Sequence, residues 1–165
     1  MARDKLEILA RRVGARLKRR GLKLATAESC TGGWIAQAVT SAPGSSAWFD
    51  RGFVTYSNEA KRELLGVRAR TLARFGAVSR ETAREMAAGA LARSRAQISI
   101  AVTGVAGPTG GTRIKPVGTV CLAWSQKKGA MESVMRRFAG GRERVRRQSV
   151  IAALQGLLER LEETE

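Results

Sequence analysis

Residues 24–36 read LATAESCTGGWIA. An apolar run meets a glutamate, a serine and a cysteine, crosses two glycines and turns apolar again. A strand that ends on Ser29 and re-enters as a helix through Cys30, Thr31, Gly32 and Gly33 is the strand-to-helix junction of an α/β protein. Such a junction offers a hydroxyl beside backbone N–H groups and the positive end of a helix dipole, which suits either an oxyanion or a phosphate. The G-x-S-x-G elbow is absent, because Ala27 and Thr31 occupy its glycine positions. Taken alone, the stretch favours Ser29 as a helix cap over Ser29 as a nucleophile. Cys30 is the rival nucleophile, although small apolar packing accounts for most cysteines of this kind.

The chain on either side extends the same alternation. Upstream, Leu6, Leu9, Ala10, Val13 and Leu17 recur at helical spacing opposite Arg11, Arg12, Arg16, Arg19 and Arg20, predicting a helix over 4–20 that ends at Gly21 and a strand over 22–27. Downstream, 31–41 reads as a helix stopping before Pro43, RGFVTYS (51–57) as a strand, and NEAKRELLGV (58–67) as a helix capped by Ser57 or Asn58. Ser79 opens a further helix with Ala83, Met86, Ala87, Ala90 and Leu91 inward. AQISIAVTG (96–104) is rich in β-branched residues and reads as a buried strand running into the glycine-rich loop 104–118. VGTVCLAWS (117–125) and MESVMRRF (131–138) read as two more strands, and a last helix from near Gly141 buries Val145, Val150, Leu154, Leu157, Leu158 and Leu161. The alternation predicts one domain over 1–165, a three-layer α/β/α sandwich with a mixed, partly parallel sheet.

Composition narrows the function. At 165 residues and 44% hydrophobic, the chain suits a single core with no room for a second domain. No apolar run reaches the roughly 18 to 20 residues of a membrane span. The N-terminal MARDKLEILARR lacks the apolar core and cleavage site of a signal peptide, so a cytoplasmic protein is expected. Cys30 and Cys121 are too few for a disulfide framework, their flanks do not resemble metal-ligand pairs, and histidine is absent. No metal or cofactor is therefore expected, and a general base must come from Lys, Asp, Glu or Tyr. A net charge of +16 raises nucleic-acid binding. However, only seven of the 30 basic residues are lysine, the bias a GC-rich genome writes into a surface. The charge is spread, aromatic residues do not alternate with it, and the C-terminal LERLEETE is acidic, so no nucleic-acid partner is expected.

Open α/β sheets place their sites at the carboxyl ends of strands, and ESCTGG, TYSNEAK and TGVAGPTGG all fall at such ends. Lys61 lies in the first turn of its helix, where the dipole prefers acids, so its placement asks for a reason. Without histidine, a neutral lysine is the natural base for a serine, although a solvated lysine on an ordinary helix is the commoner case. The loop Gly104–Gly111 lets backbone approach a ligand closely, but it is neither a dinucleotide fingerprint nor a Walker A sequence. Arg142, opening the last helix, reads either as an anion ligand or as a solvated side chain.

Taken together, TAESCTGGWIAQAVTSAPGSSAWFDRGFVTYSNEAKRELLGV (26–67) and VTGVAGPTGGTRIKPVGTVCLAW (102–124) closely resemble the CinA C-terminal domain family, whose stand-alone members are nicotinamide mononucleotide deamidases. The likeness runs from the first helix to GGRERVRRQ (140–148). It implies a homodimeric α/β/α amidohydrolase of pyridine nucleotide recycling that converts nicotinamide mononucleotide and water to nicotinate mononucleotide and ammonia without a metal. It also implies Ser29 as nucleophile, Lys61 as base, Tyr56 beside them and Ser46 as a proton relay. Cys30, Thr31, Gly32, Gly33, Thr103, Gly104, Gly107 and Arg142 would then line the substrate. Arg113 and Ile114 depart from relatives that often carry acids before the Lys-Pro pair. Two other classes follow from the residues themselves: a non-catalytic nucleotide-binding module, which would not need Lys61, and a nucleic-acid-binding protein, which would need its charge on one face.

Overall fold

The computed structural model describes residues 4–163. Along the chain run α1 (Lys5–Arg20), β1 (Leu24–Glu28), α2 (Trp34–Thr40), a 3₁₀ turn (Ser45–Ala47), β2 (Phe49–Val54), α3 (Asn58–Leu65), α4 (Ala69–Phe75), α5 (Arg80–Ala92), β3 (Ile98–Gly104), β4 (Thr119–Gln126), β5 (Met131–Arg137) and α6 (Arg142–Glu163). The strands form one sheet in the order β2-β1-β3-β4-β5. β2, β1 and β3 are parallel, and β4 and β5 continue antiparallel. Glu28 pairs with Val54 on one side and Val102 on the other, so the three parallel strands reach their carboxyl ends side by side.

Side chains alternate across a sheet, and here the alternation separates large from small. Leu24, Ile98, Ile100, Val102, Val120, Leu122 and Trp124 face one way and form a core with the buried residues of α1, α2 and α6. Ala25, Ala27, Ala101, Cys121 and Ala123 face the other way, against Ala83, Met86, Ala87 and Ala90 of α5. Small residues on both partners let α5 lie close to the sheet, and the Ser99 hydroxyl donates to the Ala87 carbonyl at 2.7 Å. At Gly89 a Cβ would fall 2.0 Å from the Leu65 carbonyl oxygen, so only glycine lets the end of α3 seat on α5. Helices on both faces of a mixed sheet make the expected three-layer sandwich.

The element boundaries differ from the expected ones where backbone conformation, not hydrophobicity, decides. α2 begins at Trp34 instead of 31, because Gly32 (φ 58°) and Gly33 (φ 102°) hold a left-handed turn that no helix continues through. β2 spans 49–54 instead of 51–57 and stops before Tyr56. The short α4 was not expected, since ARTLARF carries too little apolar periodicity to announce a helix. Among the described residues no helix is long and apolar enough to cross a membrane.

Candidate active site

Ser29 is the first residue past β1. Its N–H still donates to the Val102 carbonyl at 3.0 Å, and the Thr55 N–H donates to the Glu28 carbonyl at 2.7 Å, so the ladder runs one step beyond the assigned strands. That step sets Ser29 between Thr55 and Thr103. Alternation decides where the neighbouring side chains go. Glu28 turns toward α2, where it is 1% exposed, and Ser29 turns to the opposite face, that of α3 to α5.

Lys61 meets Ser29 there. α3 starts behind Ser57, whose hydroxyl caps it by accepting from the Ala60 N–H at 3.0 Å. Lys61 follows in the first turn and is 1% exposed. Its Nζ lies 3.0 Å from Ser29 Oγ, 3.0 Å from the Thr55 carbonyl oxygen, 3.0 Å from that of Tyr56 and 3.5 Å from that of Ser57. Among the described residues no carboxylate pairs with it. Burial holds its pKa below the ordinary lysine value, and the opposing influence is the charge of a Cys30 thiolate. That thiol is itself pushed up to about 12 by burial, so it stays neutral and the opposing influence is not in force near neutral pH. The buried Cys30 is accordingly a poor nucleophile beside Ser29.

The pair has two proton arrangements. A charged Lys61 donates to Ser29 Oγ, and the hydroxyl then donates to the Tyr56 carbonyl, 3.3 Å away. A neutral Lys61 keeps its N–H groups on the Thr55 and Tyr56 carbonyls and turns its lone pair to the Ser29 hydroxyl. The second arrangement is the geometry a serine nucleophile would need toward a base.

The turn after Ser29 corrects one expectation. The positive end of α2 does not face the hydroxyl as a free anion site, because Glu28 occupies it. Its carboxylate accepts from the Thr31 hydroxyl (2.6 Å) and from the N–H groups of Ile35 (2.8 Å) and Ala36 (3.1 Å). Gly32 N–H closes the turn on the Ser29 carbonyl, and Trp34 N–H on that of Thr31, both at 3.0 Å; the Cys30 and Thr31 amides enter neither bond. From the other side, Arg146 of α6 donates through Nε to the Cys30 carbonyl (3.1 Å) and through Nη2 to the Thr31 carbonyl (3.2 Å).

Of the other expected residues, most gather at this end of the sheet. The buried Thr103 hydroxyl is given to the Ala77 carbonyl at 2.9 Å. Gly104 ends β3 against Val120, whose Cγ2 would lie 2.8 Å from a Cβ there. Arg142 donates to the Gly107 carbonyl at 2.7 Å and approaches the Tyr56 hydroxyl at 3.4 Å, joining the glycine loop to the end of β2. Tyr56 is 63% exposed and meets the pair through its carbonyl. Ser46 is not brought to the site within this chain. It is exposed in the 3₁₀ turn just before β2, at the amino end of the sheet, where Leu24 N–H bonds the Trp48 carbonyl. Among the described residues no cluster of His, Cys, Asp and Glu could hold a metal ion.

Glu28 and Arg146 were missed by sequence reasoning. A usable signal existed for each: α2 has glycine where its cap should be, which leaves its amides needing an acid, and Arg146 stands one helical turn after Arg142, on the same face.

Together these features define a class, the mixed-sheet α/β/α sandwiches that bury a serine against a lysine where three parallel strands end. The model of the CinA C-terminal domain family matches residues 6–161, and the chain belongs to that family. Nicotinamide-nucleotide amidohydrolase PncC of Escherichia coli strain K12 is 52% identical to it over 159 residues, 95% of this chain and 95% of that one. The protein of the same name from Pseudomonas putida is 53% identical over 156 residues, 94% of this chain and 97% of that one. Among solved structures, the competence/damage inducible protein CihA from Agrobacterium tumefaciens superposes with a TM-score of 0.93 at 51% identity, covering 98% of each chain. A competence damage-inducible protein A from Klebsiella pneumoniae gives 0.94 at 44% identity, over 98% of this chain and 100% of that one.

Proposed function

We propose that this chain is a nicotinamide-nucleotide amidohydrolase that works through Ser29 and Lys61. The observation that carries the reading is the 3.0 Å contact between Lys61 Nζ and Ser29 Oγ, made by a buried lysine that no carboxylate pairs with among the described residues. Full-length relatives named for this activity, at 52% and 53% identity, support the substrate.

Neutral Lys61 takes the Ser29 proton as Oγ attacks the carboxamide carbon of nicotinamide mononucleotide. The carbonyl π bond opens and its electron pair becomes an oxyanion. Lys61 returns the proton to the leaving nitrogen, the C–N bond breaks, and ammonia departs from an acyl-serine. Water then adds by the same route in reverse and releases nicotinate mononucleotide. No metal takes part, and the whole chain acts as one amidohydrolase domain. Arg142 reads the substrate phosphate. Two copies associate in the cytoplasm, a reading supported by the family resemblance and by the exposed Val54 and Tyr56 beside the site.

Purified protein should release one ammonia per nicotinate mononucleotide from nicotinamide mononucleotide, undiminished by EDTA. No ammonia from the mononucleotide would remove the reading.

A further inference from the structure

The turn from Ser29 into α2 passes through two successive left-handed glycines, Gly32 (φ 58°) and Gly33 (φ 102°), the residues with the most backbone freedom. Gly33 is also the N-cap of α2 and has no side chain to offer the helix amides, and the seven residues of α2 are too few to hold a helix alone. The cap comes from β1 instead. Glu28, 1% exposed, reaches forward to accept from the Ile35 N–H at 2.8 Å and the Ala36 N–H at 3.1 Å, and it takes the Thr31 hydroxyl at 2.6 Å.

Those three bonds tie both ends of the turn together across Ser29. The Ser29 N–H is held by the Val102 carbonyl and the Ser29 carbonyl by the Gly32 N–H, both at 3.0 Å, so the sheet ends and the turn begins at this one residue. Its Cα, and with it Oγ, is placed by the sheet on one side and by the turn on the other. The main chain of Glu28 bears on the other half of the pair: its carbonyl accepts from the Thr55 N–H at 2.7 Å, and the Thr55 carbonyl accepts from Lys61 Nζ at 3.0 Å. Among the described residues the Glu28 carboxylate bonds the turn and α2 alone, while Lys61 Nζ bonds Ser29 Oγ and backbone carbonyls.

We propose that Glu28 is a positioning residue: its carboxylate locks the glycine turn so that Ser29 Oγ stays within hydrogen-bond reach of Lys61 Nζ. This deepens the serine–lysine reading and rests on Ser29 being the nucleophile. Glu28 touches no reacting atom and neither gives nor takes a proton. Proton transfer between the pair needs a separation of about 2.6 to 3.2 Å, and the contact stands at 3.0 Å. A displacement of about 1 Å, which two unlocked glycines would permit, costs on the order of 100-fold in rate.

The test compares Glu28→Gln, Glu28→Asp and Thr31→Val with the unmutated full-length protein, with Ser29→Ala as the control for the underlying reading. Glutamine keeps the reach but has one acceptor oxygen where the carboxylate has two, and its NH₂ group would face a donor. Glu28→Gln should therefore lower kcat about 10- to 100-fold. Glu28→Asp keeps the charge but is a methylene too short to span from β1 to α2, so it should lose at least as much. Thr31→Val keeps the volume and removes the hydroxyl bond alone, for a loss of about 3- to 10-fold. In both Glu28 variants KM, the inhibition constant of nicotinate mononucleotide and the amount of it bound per chain should hold, because the carboxylate lies on the face of the sheet away from the pair. Unchanged binding stoichiometry separates a displaced serine from a misfolded fraction. The acid limb of the pH profile should also stay in place, since burial governs the proton affinity of Lys61. A kcat within about threefold of normal in Glu28→Gln overturns the proposal. So does recovery by Glu28→Asp, which would make charge the agent, a shifted acid limb, or a kcat loss matched by lost product binding. Should Glu28→Gln fail to fold, Thr31→Val decides, and an unchanged kcat there overturns the proposal. Turnover by Ser29→Ala would instead overturn the nucleophile itself, whatever the Glu28 variants do.

Discussion

Among the described residues two basic side chains are buried, and the molecule treats them in opposite ways. Arg160, 8% exposed near the end of α6, has Glu132 at 2.9 Å, the Gly156 carbonyl at 2.9 Å and the Trp124 ring centre at 3.8 Å. Lys61, 1% exposed, has three carbonyls and one hydroxyl and no carboxylate. A guanidinium cannot shed its proton in a protein, so a buried one needs charge or π density around it. An ammonium can, and a carboxylate beside it would remove that option by favouring the charged form. The acid nearest in sequence to Ser29 is Glu28, and the strand's alternation sends it to the other face, where amides and a hydroxyl satisfy it. The contrast teaches that Lys61, with no carboxylate beside it among the described residues, keeps the option of losing its proton that the proposed base needs.

Exchanging the two cations tests this most severely. Ser29→Ala should lower turnover by at least about 10⁴-fold, as loss of a nucleophile does in serine hydrolases. Lys61→Met should cost about 10²- to 10⁴-fold, the usual worth of general acid–base catalysis. Lys61→Arg should be nearly as damaging although it keeps the charge, because a guanidinium cannot accept the proton. Cys30→Ala and Arg160→Lys should leave most turnover. Near-normal turnover in Lys61→Arg, measured as ammonia release, would make both buried cations structural and erase the distinction.

Arg142 offers a third kind of cation, exposed and, among the described residues, tied to the Gly107 carbonyl and the Tyr56 hydroxyl. A charge-assisted contact is worth roughly 1.5 to 3 kcal/mol. Arg142→Ala should therefore cut kcat/KM for nicotinamide mononucleotide by about 10- to 100-fold. It should leave the already poor nicotinamide riboside almost unchanged, because that substrate lacks the phosphate. An equal loss on both substrates would assign Arg142 to holding Tyr56 and the glycine loop.

The features that rest on side-chain type and period were legible in the sequence. β3 announces itself as a β-branched run ending in glycine, α6 by its leucine spacing, and Ser29 and Lys61 by standing at a strand end and at the wrong end of a helix dipole. Backbone decisions were not. The late start of α2 is set by two left-handed glycines, and Arg146 and Glu28 act by gripping backbone groups, a role that leaves no side-chain pattern to read. Within this chain Ser46 stands apart from the pair for a topological reason: it lies close in sequence to Ser29 and Lys61, but the turn that carries it precedes β2 and so sits at the amino end of the sheet, whereas the pair sits at the carboxyl ends.

Stability should answer to Arg160 where turnover does not. Arg160→Met removes the ring contact and the bond to Glu132, whose side chain is 47% exposed and can return to water. The pair alone is then worth little, and with the ring the loss should be about 1 to 2 kcal/mol by urea unfolding, with kcat unchanged. Glu132→Gln should cost less, since the stacking survives. A greater loss of kcat than of stability would connect this end of α6 to the chemistry.

The smallest expected effect is the dependence of stability on pH. Burial lowers the Lys61 pKa in the folded protein, so between that value and the ordinary lysine value of about 10.4 the unfolded chain binds the extra proton and the native protein does not. Stability then rises with pH across that window, and below the lowered pKa the full cost of burying the ammonium is present. A tenfold change in proton affinity corresponds to about 1.4 kcal/mol, and the carbonyls that accept from the ammonium offset part of the cost. Lys61→Met has no proton to lose there. Measured from neutral pH toward pH 10, the unmutated protein should gain on Lys61→Met, and differencing the two curves cancels whatever the two proteins share. Parallel curves for the unmutated protein and Lys61→Met would mean that the native protein holds the Lys61 proton as firmly as a free lysine does, and its burial without a carboxylate among the described residues would then lend nothing to the proposed base.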